Sequence, residues 1–212
     1  MIIEVWSDVV CPWCFIGKRR LEKAIASLPE GSSVEVRHRA FQLQPDISGI
    51  VSTSEHLAKK YRVSADQVAA MQANVCSIAD GEGLCYDIAD TESGNTLDAH
   101  RLLLWAQEKG SAQALLEVMY SNYFEKKKSL FTHDDLVKAA EEAGLDQTEV
   151  RNLLASNEYA ETVAQDQAMA QQLGANGVPF FVVDIKYGIS GAQPQEVFNQ
   201  TLTTALEESK GA

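Results

Sequence analysis

Residues 11 to 14 read Cys-Pro-Trp-Cys, and their place between a strand pattern and a helix pattern constrains the fold more than any other feature. The apolar run of residues 2–6 precedes them, and a helical pattern begins at Phe15. Two thiols at the start of a helix can close a small disulfide ring, and the free N–H groups and positive end of the helix favour a thiolate on the first sulfur. This arrangement is typical of thiol–disulfide exchange.

Composition and charge exclude one class of partner. The chain has 212 residues, of which 45% are hydrophobic, so it is long enough to bury a sizeable core. Its formal net charge of -12 argues against binding to nucleic acid or to anionic membranes, because both polyanions would repel it. The run Lys126-Lys127-Lys128 is interpreted as a solvated helix end. We therefore expect neither nucleic acid nor a membrane as a partner.

The beginning of the chain lacks the pattern of a cleavable leader. Glu4 and Asp8 interrupt the first apolar run, and Lys18 is the first basic residue, whereas a secretory signal starts with a basic segment. No stretch reaches the length of about 18 apolar residues that a membrane span needs. We therefore expect a soluble, cytoplasmic protein.

Four cysteines in 212 residues are too few for a scaffold held together by disulfides. Catalysis or metal binding is therefore the better interpretation of Cys11 and Cys14. Cys76 and Cys85 flank a glycine-containing turn, so a second disulfide is geometrically conceivable, whereas two unpaired, half-buried thiols suit a reducing compartment better. A zinc site made from all four thiols lacks the paired knuckles of structural zinc and ranks below both. We predict no bound metal.

Predicted strands occur only at the two ends of the chain. The first end contains strand 2–6, helix 12–28 and strand 34–41. The second end contains a helix after residue 157, a hairpin of strands 178–184 and 187–190, and a helix from about 194 to 208. The middle is a series of capped amphipathic helices. Because both ends must share one sheet, we predict an α/β domain formed by residues 1–45 and 157–212, with an all-helical domain inserted at 46–156.

Several short motifs stand out along this framework. They are SDVVCPWCFIG at 7–17, FQL at 41–43, NT and AHR within 95–101, GVPFF at 177–181 and SGAQ at 190–193. A βαβ half with Cys-X-X-Cys and an αββα half with Pro179 at its first strand resemble the thioredoxin fold, and the helical insertion resembles its DsbA-like branch. The motifs together resemble the FrnE-type DSBA oxidoreductases.

This resemblance implies a cis peptide bond before Pro179, which would lie beside the redox pair. The backbone of Val178 would then be open to pair with an extended substrate segment, and Pro179 has no N–H that competes. A proline that simply starts an edge strand is the plainer interpretation of the same residue. We expect substrate contacts from Pro12, Trp13, Val178, Pro179 and His100.

The position of each thiol predicts its role. Cys11 lies nearest the free amides and is normally the exposed sulfur of such a pair, whereas Cys14 lies one turn inside, so we expect Cys11 to attack and Cys14 to resolve the mixed disulfide. Trp13 is not ionisable, and a His at its position would stabilise the thiolate, so we expect a weaker oxidant than strongly oxidising relatives. Lys18 would help weakly and Asp8 would oppose the thiolate, although a solvated side chain and a helix cap are the commoner roles.

His100 lies in the 95–101 motif on the inserted domain, which in this fold faces the active site. A proton shuttle or a substrate contact is one interpretation, and a packed structural histidine is the other.

Two other classes of function fit parts of the pattern. The 2-hydroxychromene-2-carboxylate isomerases and kappa-class glutathione transferases resemble this fold, which suggests a glutathione-dependent enzyme acting on a small aromatic or polyketide substrate. Those relatives usually carry Ser where Cys11 stands, so the retained pair favours redox chemistry on protein or small-molecule disulfides. A thiol metal-binding or chaperone module is the non-enzymatic alternative. We expect no bound cofactor, with glutathione or another thiol as redox partner, and the sequence gives no prediction of oligomeric state.

Overall fold

The computed structural model describes residues 1–210 and has a mixed α/β architecture. Its strands are β1 (Ile2–Ser7), β2 (Glu35–Ala40), β3 (Val51–Ser52), β4 (Glu92–Ser93), β5 (Phe180–Val183) and β6 (Tyr187–Ser190). The central sheet is four-stranded in the order β2-β1-β5-β6, so it combines both ends of the chain. Strand β1 runs parallel to β2 and antiparallel to β5, and β5 pairs with β6 as a hairpin.

Most of the chain between the two halves of this sheet is helical. They are α1 (Pro12–Ala26), α2 (Thr53–Tyr61), α3 (Ala65–Gly81), α4 (Leu97–Glu108), α5 (Ala112–Tyr120), α6 (His133–Glu142), α7 (Gln147–Ala155), α8 (Ala160–Gln172) and α9 (Gln195–Lys210). A π-helical turn at Ser121–Glu125 continues α5. Strands β3 and β4 form a two-residue antiparallel pair within the helical middle, which is too short to leave an alternating sequence pattern. Among residues 1–210, no helix is long and apolar enough to cross a membrane.

Local capping explains where several of these helices begin. A capping box begins α3, because the Ser64 hydroxyl accepts from the Gln67 backbone amide and the Gln67 side chain accepts from the Ser64 backbone amide. The Thr132 hydroxyl and the Asp146 carboxylate are the N-caps of α6 and α7 and accept from backbone amides of the first turn. Each of these side chains satisfies an N–H group that the helix itself leaves unpaired.

Helices α4 and α8 cover the outer edge of β2. Side chains from these two helices bond the strand's outward-facing N–H groups, which would otherwise be unpaired. The bonds join the amides of His38, Ala40 and Gln42 to Gln107 (2.6 Å), Asp166 (2.9 Å) and Gln167 (2.8 Å), respectively. The helices thus complete a hydrogen-bonding edge as well as burying apolar surface.

Helix α1 belongs to two hydrophobic clusters. Phe15 and Ile16 pack with residues of the middle helices, and the Phe15 ring lies 4.9 Å from that of Tyr120. Leu21 and Ala24 pack against the sheet and α9. The division into residues 1–45 with 157–212 and 46–156 stays a prediction, and residues 211 and 212 of that division lie outside the described residues.

Candidate active site

The start of α1 places the two cysteines as the sequence predicts. Cys11 is the N-cap residue, with an extended backbone, and Pro12 is the first helical residue. The Cys14 amide donates to the Cys11 carbonyl at 3.0 Å, which closes the first turn. Proline fits this position because the N–H group that it lacks would have no partner within the helix. Both cysteines are free thiols.

Cys11 is buried, and the expectation of an exposed first sulfur is wrong. Its exposed fraction is 4%, against 2% for Cys14. The reason is the segment that leads into β5, because the Cys11 thiol donates to the carbonyl oxygen of Val178 at 3.4 Å. The first thiol at a helix start is accessible to solvent when nothing packs against it. In this fold the segment before β5 packs against Cys11 and excludes solvent from it.

The two thiols differ in their electrostatic surroundings. Burial raises the pKa of Cys14 well above its usual value, and the hydrogen bond to Cys11 raises it further. Cys14 is therefore a thiol at neutral pH. Its place inside the helix agrees with a resolving role and not with the first attack.

The peptide bond between Val178 and Pro179 is cis, as the sequence resemblance implies. Pro179 packs against α1 at Gly17, where a Cβ atom would lie 3.0 Å from Pro179 Cγ and 3.0 Å from Phe181 Cζ. The absence of a side chain at Gly17 lets the active-site helix approach this strand closely. Cys11 and Val178 are in contact as a result of that approach.

The outer surface of the motif is formed by Pro12 and Trp13. Pro12 is half-buried and Trp13 is 36% exposed. Tyr86, which sequence reasoning missed, donates its hydroxyl to the Pro12 carbonyl at 2.7 Å. Burial raises the pKa of Tyr86, so the hydroxyl stays a donor. A single tyrosine between α3 and β4 carries no sequence signal for this contact.

His100 lies in the interior of the molecule. Its exposed fraction is 0%, and its Nε2 atom lies 3.4 Å from Asp8 Oδ1. The ring stacks on His38 with a centroid distance of 5.7 Å. Burial, followed by the nearby His100 and Arg39, lowers the pKa of His38 to about 3, so this imidazole is neutral.

Asp8 and Lys18 do not have the ordinary roles that the sequence suggests. Asp8 is 1% exposed and caps no helix, because its Oδ2 atom accepts from the Leu43 amide at 2.8 Å. Lys18 pairs with Glu22 and with Glu117, the latter at 2.7 Å. Its charge is therefore compensated by carboxylates from α1 and α5.

The two remaining cysteines are separate from this arrangement. Cys76 and Cys85 are both free thiols in the structure. Cys76 is half-buried and burial raises its pKa, whereas Cys85 is exposed because it lies in the loop beyond α3. Within residues 1–210, no group of three or more His, Cys, Asp or Glu side chains is placed to hold a metal ion. The four-thiol zinc arrangement is thus not formed there.

Comparison with known proteins yields one family over nearly the whole chain. The DSBA-like thioredoxin domain matches residues 2–203. A crystal structure of a "probable DsbA oxidoreductase" from Streptomyces coelicolor is 46% identical, with a TM-score of 0.93 over 98% of this chain and 91% of that chain.

More distant structures share the fold. A 2-hydroxychromene-2-carboxylate isomerase is 15% identical, with a TM-score of 0.71 over 100% of this chain and 98% of that chain. The cytosolic disulfide reductase DsbM from Pseudomonas aeruginosa is 17% identical, with a TM-score of 0.67 over 98% of this chain and 99% of that chain. DsbM has also been solved with GSH.

Proposed function

Because this chain belongs to the DSBA-like thioredoxin domain family, we propose that it exchanges thiols and disulfides through the Cys11–Cys14 pair, acting on protein or small-molecule substrates. The family match confirms the DsbA-like resemblance and the thioredoxin fold class that the sequence motifs predict, and the narrower FrnE-type resemblance stays a prediction. Membership supports oxidoreductase or related enzyme chemistry, and the assignment of the two thiols rests on the geometry of the site.

The contact between Cys11 and Val178 carries the proposal. The Cys11 sulfur lies against the carbonyl that precedes Pro179, so a substrate segment paired with this backbone would bring its disulfide to Cys11. The Cys11 thiolate attacks one substrate sulfur, a mixed disulfide forms and the other substrate sulfur leaves as a thiolate. Cys14 then attacks Cys11, which releases the reduced substrate and leaves the Cys11–Cys14 disulfide. Oxidation of a dithiol runs the same steps in reverse.

The surroundings of Cys11 support a weak oxidant. Trp13 carries no charge, and the Lys18 charge is paired with Glu22 and Glu117. Strong oxidants owe their potential to a stabilised thiolate, and neither Trp13 nor the paired Lys18 supplies a free positive charge for that purpose. We propose that the protein works as a reductase in the cytoplasm, with glutathione or a similar small thiol as its redox partner.

Insulin reduction by dithiothreitol tests the proposed function. We expect the purified protein to accelerate the reaction and Cys11→Ser to abolish the acceleration, because no attacking sulfur remains. Cys76→Ser is the matched control, since it also removes a thiol but leaves the pair intact, and it should retain full activity. Full activity in Cys11→Ser would contradict the proposal, and glutathione-dependent isomerisation that survives in Cys14→Ser would favour the isomerase class. Stoichiometric zinc in the reduced protein would favour the metal-binding class.

Equilibration of the pair with glutathione tests the proposed direction. We expect a potential nearer to that of thioredoxin, about -270 mV, than to that of DsbA, about -120 mV. A reduction potential near that of DsbA would contradict the reductase role. It would not contradict the proposal that the pair exchanges thiols and disulfides.

A further inference from the structure

Tyr86 contacts the redox motif from the helical middle of the chain. It lies in the loop between α3 and β4, and its hydroxyl donates to the carbonyl oxygen of Pro12 at 2.7 Å, an ordinary length for an O–H···O bond. Pro12 lies between the two cysteines, so this bond joins the inserted helices directly to the Cys-Pro-Trp-Cys turn. The steps of thiol exchange make no use of it.

The loop that carries Tyr86 is fixed on both sides of this residue. The flanking Leu84 and Ile88 side chains are buried, and the Asp87 amide donates to the Phe124 carbonyl at 2.7 Å. The Tyr86 ring also stacks on the Phe124 ring, with a centroid distance of 5.0 Å. Phe124 belongs to the π-helical turn that continues α5, where the last carbonyl groups have no partner within the helix. The helix end therefore anchors the loop, and the anchored loop holds the Tyr86 hydroxyl against the redox motif.

The hydrogen bond acts on the backbone rotation of Pro12 that its ring leaves free. The pyrrolidine ring fixes φ of Pro12, whereas ψ sets the orientation of the peptide plane that joins Pro12 to Trp13. The carbonyl oxygen lies in this plane, so a hydroxyl held against it restrains the rotation. Because the plane lies between Cys11 and Cys14 in the chain, its rotation changes the position of one thiol relative to the other.

We propose that Tyr86 is a positioning residue, whose hydroxyl holds the Cys-Pro-Trp-Cys turn in the conformation that closes to a disulfide. The inference rests on the proposed thiol exchange. A turn that is already restrained in the dithiol loses less conformational entropy when the ring closes. Tyr86 therefore makes the Cys11–Cys14 disulfide more stable relative to the dithiol, which suits a reductase.

Oxidation by glutathione disulfide measures this effect at equilibrium. The Cys11 thiolate attacks glutathione disulfide, which forms a mixed disulfide and releases one glutathione thiolate. Cys14 then attacks the Cys11 sulfur, which forms the Cys11–Cys14 disulfide and releases the second glutathione thiolate. The two glutathione thiolates take up the two protons that the cysteines lose.

We expect Tyr86→Phe to lower the equilibrium constant for this oxidation about three- to tenfold, because the turn must then be ordered when the ring closes. For a two-electron couple, this change moves the reduction potential towards the oxidising end by about 15–30 mV. Phenylalanine keeps the ring that stacks on Phe124 and removes only the hydroxyl.

Tyr123→Phe is the matched control. The Tyr123 hydroxyl donates to the Glu92 carbonyl at 2.6 Å, so this variant also loses one part-buried bond from a tyrosine to the backbone. We expect the two variants to lose similar stability in urea, and we expect only Tyr86→Phe to change the equilibrium constant with glutathione.

The glutathione measurements separate failure of the inference from failure of the proposed function. An unchanged equilibrium constant in Tyr86→Phe would overturn the inference and leave the proposed function intact. An equal change in Tyr86→Phe and Tyr123→Phe would also overturn the inference, because the change would then follow from lost stability alone. An unmodified protein that forms no Cys11–Cys14 disulfide with glutathione disulfide would overturn both.

Hydrogen exchange of the Cys14 amide provides a readout independent of redox chemistry. This amide donates to the Cys11 carbonyl at 3.0 Å, so its exchange in the dithiol protein reports how often the turn opens. We expect NMR to show exchange about three- to tenfold faster in Tyr86→Phe than in the unmodified protein, and unchanged exchange in Tyr123→Phe. Equal protection of the Cys14 amide in all three proteins would overturn the inference.

Discussion

At the scale of single residues, Gly17 sets how closely the active-site helix approaches Pro179. Alanine has a helix propensity about 1 kcal/mol better than glycine, so an open helical site would be stabilised by this change. The added methyl group at residue 17 would instead lie 3.0 Å from both Pro179 and Phe181. The two effects oppose each other, and steric overlap in a packed site is the larger because it forces backbone or ring displacement.

We expect Gly17→Ala to lower the free energy of unfolding by about 1–3 kcal/mol and to reduce insulin reductase activity, because Val178 would move away from Cys11. Urea denaturation measures the first effect. Gly81→Ala is the control, since Gly81 is the last residue of helix α3 and has nothing within 4 Å of an added Cβ atom. If the two variants were equally stable, Pro179 and Phe181 would have to shift to accept the added methyl group with no loss of stability, which would contradict this prediction.

At the scale of elements, the helices of the middle segment act on the sheet through polar side chains. The sequence indicates amphipathic helices, whose apolar faces explain burial but not the choice of partner. Gln107 on α4 accepts from the His38 amide at 2.6 Å and donates to the His38 carbonyl at 3.3 Å. Its amide group therefore replaces a neighbouring strand at the edge of the sheet, where unpaired groups would invite association with other chains.

We expect Gln107→Leu to lower the free energy of unfolding by about 1–3 kcal/mol, because it leaves a part-buried backbone donor and acceptor unpaired. Thermal or urea denaturation measures the change. Gln171→Leu makes the same substitution at an exposed position of α8 and should alter stability by less than about 0.5 kcal/mol. Equal stability of the two variants would mean that water replaces the glutamine without loss.

At the scale of the whole molecule, the helical middle and the sheet share a core through α1. Cys11, Cys14 and Phe15 lie in the same hydrophobic cluster as residues of α4 to α7. The helical middle buries much of its apolar surface against α1, so residues 46–156 would expose that surface if they were separated from α1. The sequence-based division at residues 46–156 therefore describes the path of the chain and need not describe a unit that folds alone.

We expect one cooperative unfolding transition for the whole chain. Hydrogen exchange in increasing urea, followed by mass spectrometry, would show residues 46–156 losing protection together with the strands at both ends. An earlier midpoint for residues 46–156 would indicate that the inserted segment opens independently of the sheet.

The sequence by itself determined the features that depend on near neighbours. The helix start at Pro12 and the cap at Ser64 follow from groups within one turn. The order of motifs along the chain also predicted the thioredoxin fold and its family, and the family match confirms both.

Only the tertiary structure decided the surroundings of the Cys-Pro-Trp-Cys motif. The hydrogen bonds from Cys11 to Val178 and from Tyr86 to Pro12 join residues 167 and 74 positions apart. The same packing buries His100 against Asp8, which agrees with the packed structural histidine that the sequence offered as one of two interpretations. Local signals act over a few residues, whereas burial and long-range contacts depend on how all the elements pack, so the pair of thiols was predictable and its burial was not.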